Sequence, residues 1–195
     1  AILAASVLAI REHLASTNAS LIFHLPSAAQ LALNGGELEV RADTRVAIIG
    51  VGARATLDGQ GLSRLILVRA RGVLRLENVA LINGAAVDAG AAVYAGADPE
   101  GPLMRGDVTE CHATASGGNV YGGAMYLGAG ATATLISSAI ANITAQSDSG
   151  RVFGVAMYLH TGATAILHSS TIRNVSAQSN SGNVNGGVMR LGTGA

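Results

Sequence analysis

Apolar and polar residues alternate in two rhythms along this chain. Leu3, Val7, Ile10 and Leu14 recur at steps of four, three and four, one face of a helix over residues 3–15. Arg11, Glu12 and His13 fall off that face, and Asn18, after Ser16 and Thr17, begins a break. Beyond it the period shortens. Leu21-Ile22-Phe23, Leu31-Ala32-Leu33, Leu38-Glu39-Val40, Val46-Ala47-Ile48-Ile49, Leu65-Ile66-Leu67-Val68 and Val73-Leu74-Arg75-Leu76 read as short strands. Turn residues part them, among them Asn34-Gly35-Gly36, Asp58-Gly59-Gln60-Gly61 and Asn83-Gly84.

From about residue 85 the pattern becomes a repeat. Gly-x-Ala-Met-Tyr-Leu stands at 122–127 and 154–159, and Gly-Gly-Val-Met-Arg-Leu at 186–191, an offset of 32 each time. A fainter copy, Gly90-Ala91-Ala92-Val93-Tyr94-Ala95, lies 32 residues before the first. Residues 117–148 and 149–180 agree at 19 of 32 positions, and 149–163 and 181–195 at 9 of 15. A fixed period of this length marks a stacked solenoid, because each unit has an apolar face that only its neighbours can cover.

Each unit predicts three strands, Ala124 to Leu127, Ala131 to Ile136 and Ala139 to Ile143, with 149–153 as a loop between coils. Strand alternation turns Met125, Met157 and Met189 inward together with Leu127, Leu159 and Leu191. Ala133/Ala165, Leu103/Leu135/Leu167 and Val108/Ile140/Ile172 line the same core from the other walls. Before residue 85 the coils are uneven, Leu74 and Leu103 being 29 apart. The expected fold is all-β: a right-handed parallel β-helix over 20–195, closed at its first coil by a capping helix within 1–19. A cap is needed because a bare first coil would expose unpaired N–H and C=O groups and an apolar layer. The chain stops within a repeat, so it is expected to be part of a longer protein.

Composition narrows the chemistry. Nearly half of the 195 residues are apolar, yet aromatics make up only 3 % and Trp is absent, so the core consists of thin aliphatic layers. Charge is 12 % and balanced at zero, which gives no reason to expect a nucleic-acid partner or an anionic membrane surface. All 12 basic residues are Arg, which excludes Lys chemistry and a Walker A loop. No apolar run reaches membrane-spanning length. Cys111 alone offers neither an internal disulfide nor a zinc site, and the repeat aligns it with Ile143 and Val175 as a small buried hydrophobe.

The leading stretch Leu38-Glu39-Val40 through Ala55-Thr56-Leu57-Asp58-Gly59, and the phrase Leu74 to Gly84, resemble early coils of the pectin-lyase-like right-handed parallel β-helix superfamily. The Gly-Gly-Ala-Met-Tyr-Leu and Ser-Ser-Ala-Ile-Ala-Asn units are similar to repeats of polymorphic outer-membrane proteins and adhesin-like β-helices. The resemblance covers 20–195 and speaks to fold. Some members are polysaccharide lyases or hydrolases, but the Asn-Thr-Asp, Asp-Asp, Gly-His-Gly and Arg-x-Lys motifs of polygalacturonase-like enzymes are absent. The Arg-x-Pro-x-x-Arg setting of pectate-lyase-like enzymes is absent too, so no family catalytic residue has a position here.

One column stands out. Tyr94, Tyr126, Tyr158 and Arg190 share a repeat position whose parity is opposite to the Met/Leu face, so an outward stack ending in a guanidinium is expected. Aromatic rings with polar tips suit a linear sugar polymer; the same stack also braces the sheet. Asn142 and Asn174 read as an inward amide ladder, although they also open glycosylation sequons, as does Asn18. Asp88, Asp98, Glu100, Asp107 and Glu110 read as a solvated acidic stretch, and His160 and His168 as surface positions. Gly50-Val51-Gly52 is a strand-ending turn.

The expected function is an extracellular or cell-surface carbohydrate-binding or adhesive repeat module, non-catalytic as it stands. Its ligand is a polysaccharide or cell-surface glycan held at Tyr94, Tyr126, Tyr158 and Arg190, with no cofactor and no metal. Two alternatives remain open: a lyase or hydrolase of the superfamily with active residues partly outside the chain, and a structural stalk.

Overall fold

The computed structural model describes residues 7–16, 20–97 and 103–195. Leu3, Asn18, Asp98 and Glu100 lie outside the described residues.

Helix α1, Val7–Ser16, buries Ile10 and Leu14 against the strand Leu38–Val40. Polar contacts complete the cap. Arg11 Nη2 donates to Leu33 O at 2.5 Å and also to Gly36 O. Arg41 Nη1 donates to Ala15 O at 2.9 Å, satisfying a carbonyl of the helix's last turn, which has no partner within the helix.

Among the described residues every strand pairing is parallel, and the strands stack into a β-solenoid. The first wall stacks Leu21–Leu25, Arg45–Gly50, Val73–Glu77, Leu103–Arg105, Thr132–Ile136 and Thr164–His168 in order. The second runs from Gln30–Ala32 through Ala55–Asp58, Val79–Ile82 and Val108–Thr109 to Ala139–Ser147 and Thr171–Ser179. The third stacks Leu38–Val40, Ile66–Val68, Val93–Ala95, Met125–Leu127, Met157–Leu159 and Met189–Leu191. Met125 pairs with Met157 and Met157 with Met189, so the 32-residue offset is the step between coils.

The inward columns follow the parity of the sequence. Met125, Met157, Leu127, Ala133, Leu135, Val108 and Ile140 are buried in one continuous core. The register departs from the expected one at a single place: Leu103 stands beside Thr134, and Met104 beside Leu135. Met104 is therefore the fully buried member of that column, and the offset there is 31. The register recovers at once, since Val108 pairs with Ile140.

The expected loop at 149–153 is more structured than its sequence implies. The second-wall strand Ala139–Ser147 runs past Asn142, and its later half pairs with His112–Ala115. That strand pairs in turn with Ala85–Val87. After a turn the chain forms a fourth, short sheet from Val120–Tyr121, Val152–Phe153 and Val184–Asn185. The later coils thus carry a flange. Its thin core of Ala113, Ala115, Val120, Ala145, Val152 and Val155 is separate from the main one.

Candidate functional site: an aromatic corner

The conserved phrase of the repeat builds the corner between flange and third wall. Gly122 and Gly154 both have φ of 64°, the left-handed region that suits glycine. A Cβ at either would collide with the carbonyl of Met125 or Met157 in its own coil. This tight bend turns the chain from the fourth sheet directly into the third wall. Tyr121 and Phe153, just before the glycines, are thereby brought against Tyr126 and Tyr158, just after them.

The flange itself is held by serines one coil apart. Ser147 Oγ donates to Gly118 O at 2.7 Å and accepts from Gly150 N at 2.8 Å. Ser179 repeats both bonds to Gly150 O and Gly182 N, at 2.7 and 2.9 Å. Each turn is thus tied to the turn below it.

Tyr94, Tyr126 and Tyr158 do stack. The first pair of rings lies 4.6 Å apart at an interplanar angle of 9°, the second 5.5 Å apart at 13°. A second stack, Tyr121 on Phe153, runs beside it at 5.1 Å and 7°. The two stacks meet edge to face: Tyr121 lies 5.0 Å from Tyr158 and 6.5 Å from Tyr126. Five of the chain's six Phe and Tyr side chains meet here. The sixth, Phe23, belongs to the core.

The outward parity of the tyrosine column is therefore correct, but its rings are half-buried against the second stack rather than laid bare on a flat wall. Their faces are occupied by one another, and the second stack meets them edge to face. Burial, reinforced by the neighbouring tyrosines, pushes the Tyr126 phenol up to about 12. The Tyr126 hydroxyl is thus neutral at physiological pH and able to both donate and accept. Asn119 Nδ2 donates to Tyr121 OH at 2.9 Å.

A guanidinium closes one end of the column, and Arg190 holds the next register position at the other. Arg64 lies over the Tyr94 ring, 4.9 Å from its centroid. It is fixed there by bonds to Ala89 O at 2.9 Å, Gly90 O at 3.0 Å and Glu37 at 3.2 Å. Arg190 follows Tyr158 in register, is exposed, and has no ion pair among the described residues. Sequence reasoning missed Arg64, Tyr121 and Phe153. The second stack had a signal, since positions 121 and 153 are one period apart and both aromatic.

The other candidates do not converge. Asp107 pairs with Arg54 and accepts from Ala139 N at 2.9 Å. Asp88 is exposed at the end of the flange strand Ala85–Val87, and Glu110 lies in the bend column of Asn142. Among the described residues no three His, Cys, Asp or Glu side chains gather as a metal site. No helix among them is long and apolar enough to cross a membrane. His160 sits edge-on to Tyr158 at 6.3 Å and its Nδ1 accepts from Thr161 N at 2.8 Å, while His168 is exposed on the first wall.

Cys111 is buried in the column of Ile143 and Val175, and burial pushes its thiol up to about 12, so it is no nucleophile at neutral pH. The asparagine pair is a correction. Asn174 Nδ2 does donate to Asn142 Oδ1 at 3.2 Å, but both residues are exposed, with φ of 51° and 56°. The left-handed bend reverses strand parity and turns the ladder outward. Compared with known protein families, curated protein sequences and solved structures, the chain matches none.

Proposed function

We propose that the protein is a non-catalytic carbohydrate-binding or adhesive module of the extracellular space or cell surface, built on the pectin-lyase-like, adhesin-like scaffold. A glycan would bind along the corner at Tyr94, Tyr126, Tyr158 and Arg190, flanked by Tyr121 and Phe153. One observation carries this reading: a chain with so few aromatics places nearly all of them at one outer corner instead of in its core. With ring faces engaged in the stack, recognition falls to the row of phenol hydroxyls, spaced by about one strand separation of 4.8 Å. The exposed Arg190 adds five further donors at the end of that row.

The spacer alternative draws on the same geometry, because rings that cover one another also brace the sheet. Phenylalanine substitution separates the two readings. Tyr126→Phe with Tyr158→Phe keeps the stack and removes two hydroxyls. On a glycan array, binding by the parent and a roughly tenfold or greater loss in this variant, about one to two hydrogen bonds, is expected. Undiminished binding would dismiss the corner as the site. An array on which the parent binds nothing, with no product from pectin or alginate, would leave the spacer.

A further inference from the structure

Asn142-Ile143-Thr144 and Asn174-Val175-Ser176 are acceptor sequences for N-linked glycosylation, and the proposed function does not use them. A buried amide ladder would have closed them to modification. The structure instead places both asparagines outside, at a left-handed bend of the second wall. Thr144 and Ser176, two residues on, are exposed, whereas the intervening Ile143 and Val175 pack into the main core. Each sequon thus presents its amide and its hydroxyl outward while the middle residue anchors the strand. Gln146 and Gln178 continue the same exposed wall.

We propose that this column carries one N-linked glycan per chain, at Asn142 or Asn174. The claim rests on the extracellular part of the reading above. In the transfer, catalysed by an oligosaccharyltransferase, the amide Nδ2 attacks the anomeric carbon of a lipid-pyrophosphate-linked oligosaccharide. The C–N bond forms, the anomeric C–O bond breaks, the lipid pyrophosphate leaves with the bonding pair, and Nδ2 gives up one of its two protons. A glycosylated Asn174 keeps one N–H, enough for its bond to Asn142 Oδ1, and a glycosylated Asn142 keeps that acceptor. The ladder therefore survives modification at either position.

Two glycans do not fit. Neighbouring rungs are separated by about 4.8 Å, narrower than a hexopyranose with its N-acetyl arm, so the first sugar excludes the second. The second wall and the aromatic corner are opposite faces of one flange, with Ala113 and Ala145 packed towards Val120 and Val152 between them. A glycan on the column would screen one face and leave the corner open.

The test uses the full chain, with Asn18→Gln so that only the column is counted, carried by a cleavable signal through a eukaryotic secretory pathway. Intact mass is measured before and after an N-glycan amidase, which leaves aspartate at each occupied site. One glycan per chain, divided between Asn142 and Asn174, is expected. Thr144→Ala should move it entirely to Asn174. Thr144→Ala with Ser176→Ala, which leaves both amides and their hydrogen bond in place, should abolish it. A secreted, folded chain with no glycan, or with both positions filled at once, overturns the inference. Array binding by the same secreted chain reads the carbohydrate-binding proposal separately, so either can fail alone.

Discussion

The early and late coils solve the same stacking problem with different chemistry. Up to residue 97 successive rungs are uneven: Val46 pairs with Leu21 and with Leu74, offsets of 25 and 28. These coils are laced by ion pairs between rungs, Glu37 with Arg64, Glu39 with Arg69 and Asp43 with Arg71. The Arg71 guanidinium holds the Asp43 carboxyl below its ordinary value. In the late coils, offset by 32, the cross-rung bonds include those of Ser147, Ser179, Asn174 to Asn142, and Asn180 to Asp148.

The reason is symmetry. A faithful repeat stacks each residue on a copy of itself about 4.8 Å away. A charged residue would then face its own charge, whereas Ser, Asn, Gln and Tyr can both give and take hydrogen bonds or stack. Coils that differ in sequence can alternate acid and base; coils that repeat cannot.

Core filling differs as well. On the first wall Val46 and Leu74 give way to Ala133 and Ala165, while on the third wall Val93 and Ala95 give way to Met125 and Leu127. The largest expected effect tests this contrast. Leu76→Ala, in the early core, should cost about 2–5 kcal/mol in denaturant unfolding, through lost transfer energy and a cavity. The opposite change in the late core, Ala133→Leu, should cost about 1–3 kcal/mol by overpacking. If Ala133→Leu were stabilising, the late core would hold unfilled space and the size compensation would be wrong.

Alkaline stability comes next. Cys111 lies at the junction of the two regions, its thiol raised from 9.0 to about 12 chiefly by burial. A raised folded value means that stability is fully present below pH 9 and is lost as pH rises towards 12. One proton gives a slope of up to about 1.4 kcal/mol per pH unit in that window. Cys111→Val, copying Val175, should flatten the slope, leaving the share of Tyr126, which is raised from 10.0 to about 12. An unchanged pH profile in this variant would remove Cys111 from the account.

The symmetry argument makes the smallest but sharpest prediction. Gln146 pairs in register with Gln178. Gln146→Glu with Gln178→Glu should destabilise by up to about 1 kcal/mol, an effect that added salt relieves. Gln146→Glu with Gln178→Arg should recover it. Glu39→Gln, which breaks an exposed pair in the early coils, should change stability by less than about 1 kcal/mol. A late Glu pair that proved harmless at low salt would dissolve the distinction between the two regions.

The helix face was legible because Ile10 and Leu14 meet only the core. The parity of Met125 and Leu127 was legible because nothing interrupts that strand. Parity failed at Asn142, where one left-handed residue resets the alternation between Ile140 and Ile143. Register failed at Leu103, where the burial of Met104, not the 32-residue count, sets the pairing. The flange was invisible because its core consists of Ala and Val, too small to mark an apolar face.

The sequence by itself determined the solenoid, its period, its cap and the stacking of Tyr94, Tyr126 and Tyr158, since each follows from alternation and a fixed repeat. Only the tertiary structure decided what that stack faces. Tyr121 and Phe153 reach it through a glycine bend, and Arg64 arrives from a coil of different length. A period relates each residue to its own copies, whereas a corner joins positions that the period never aligns.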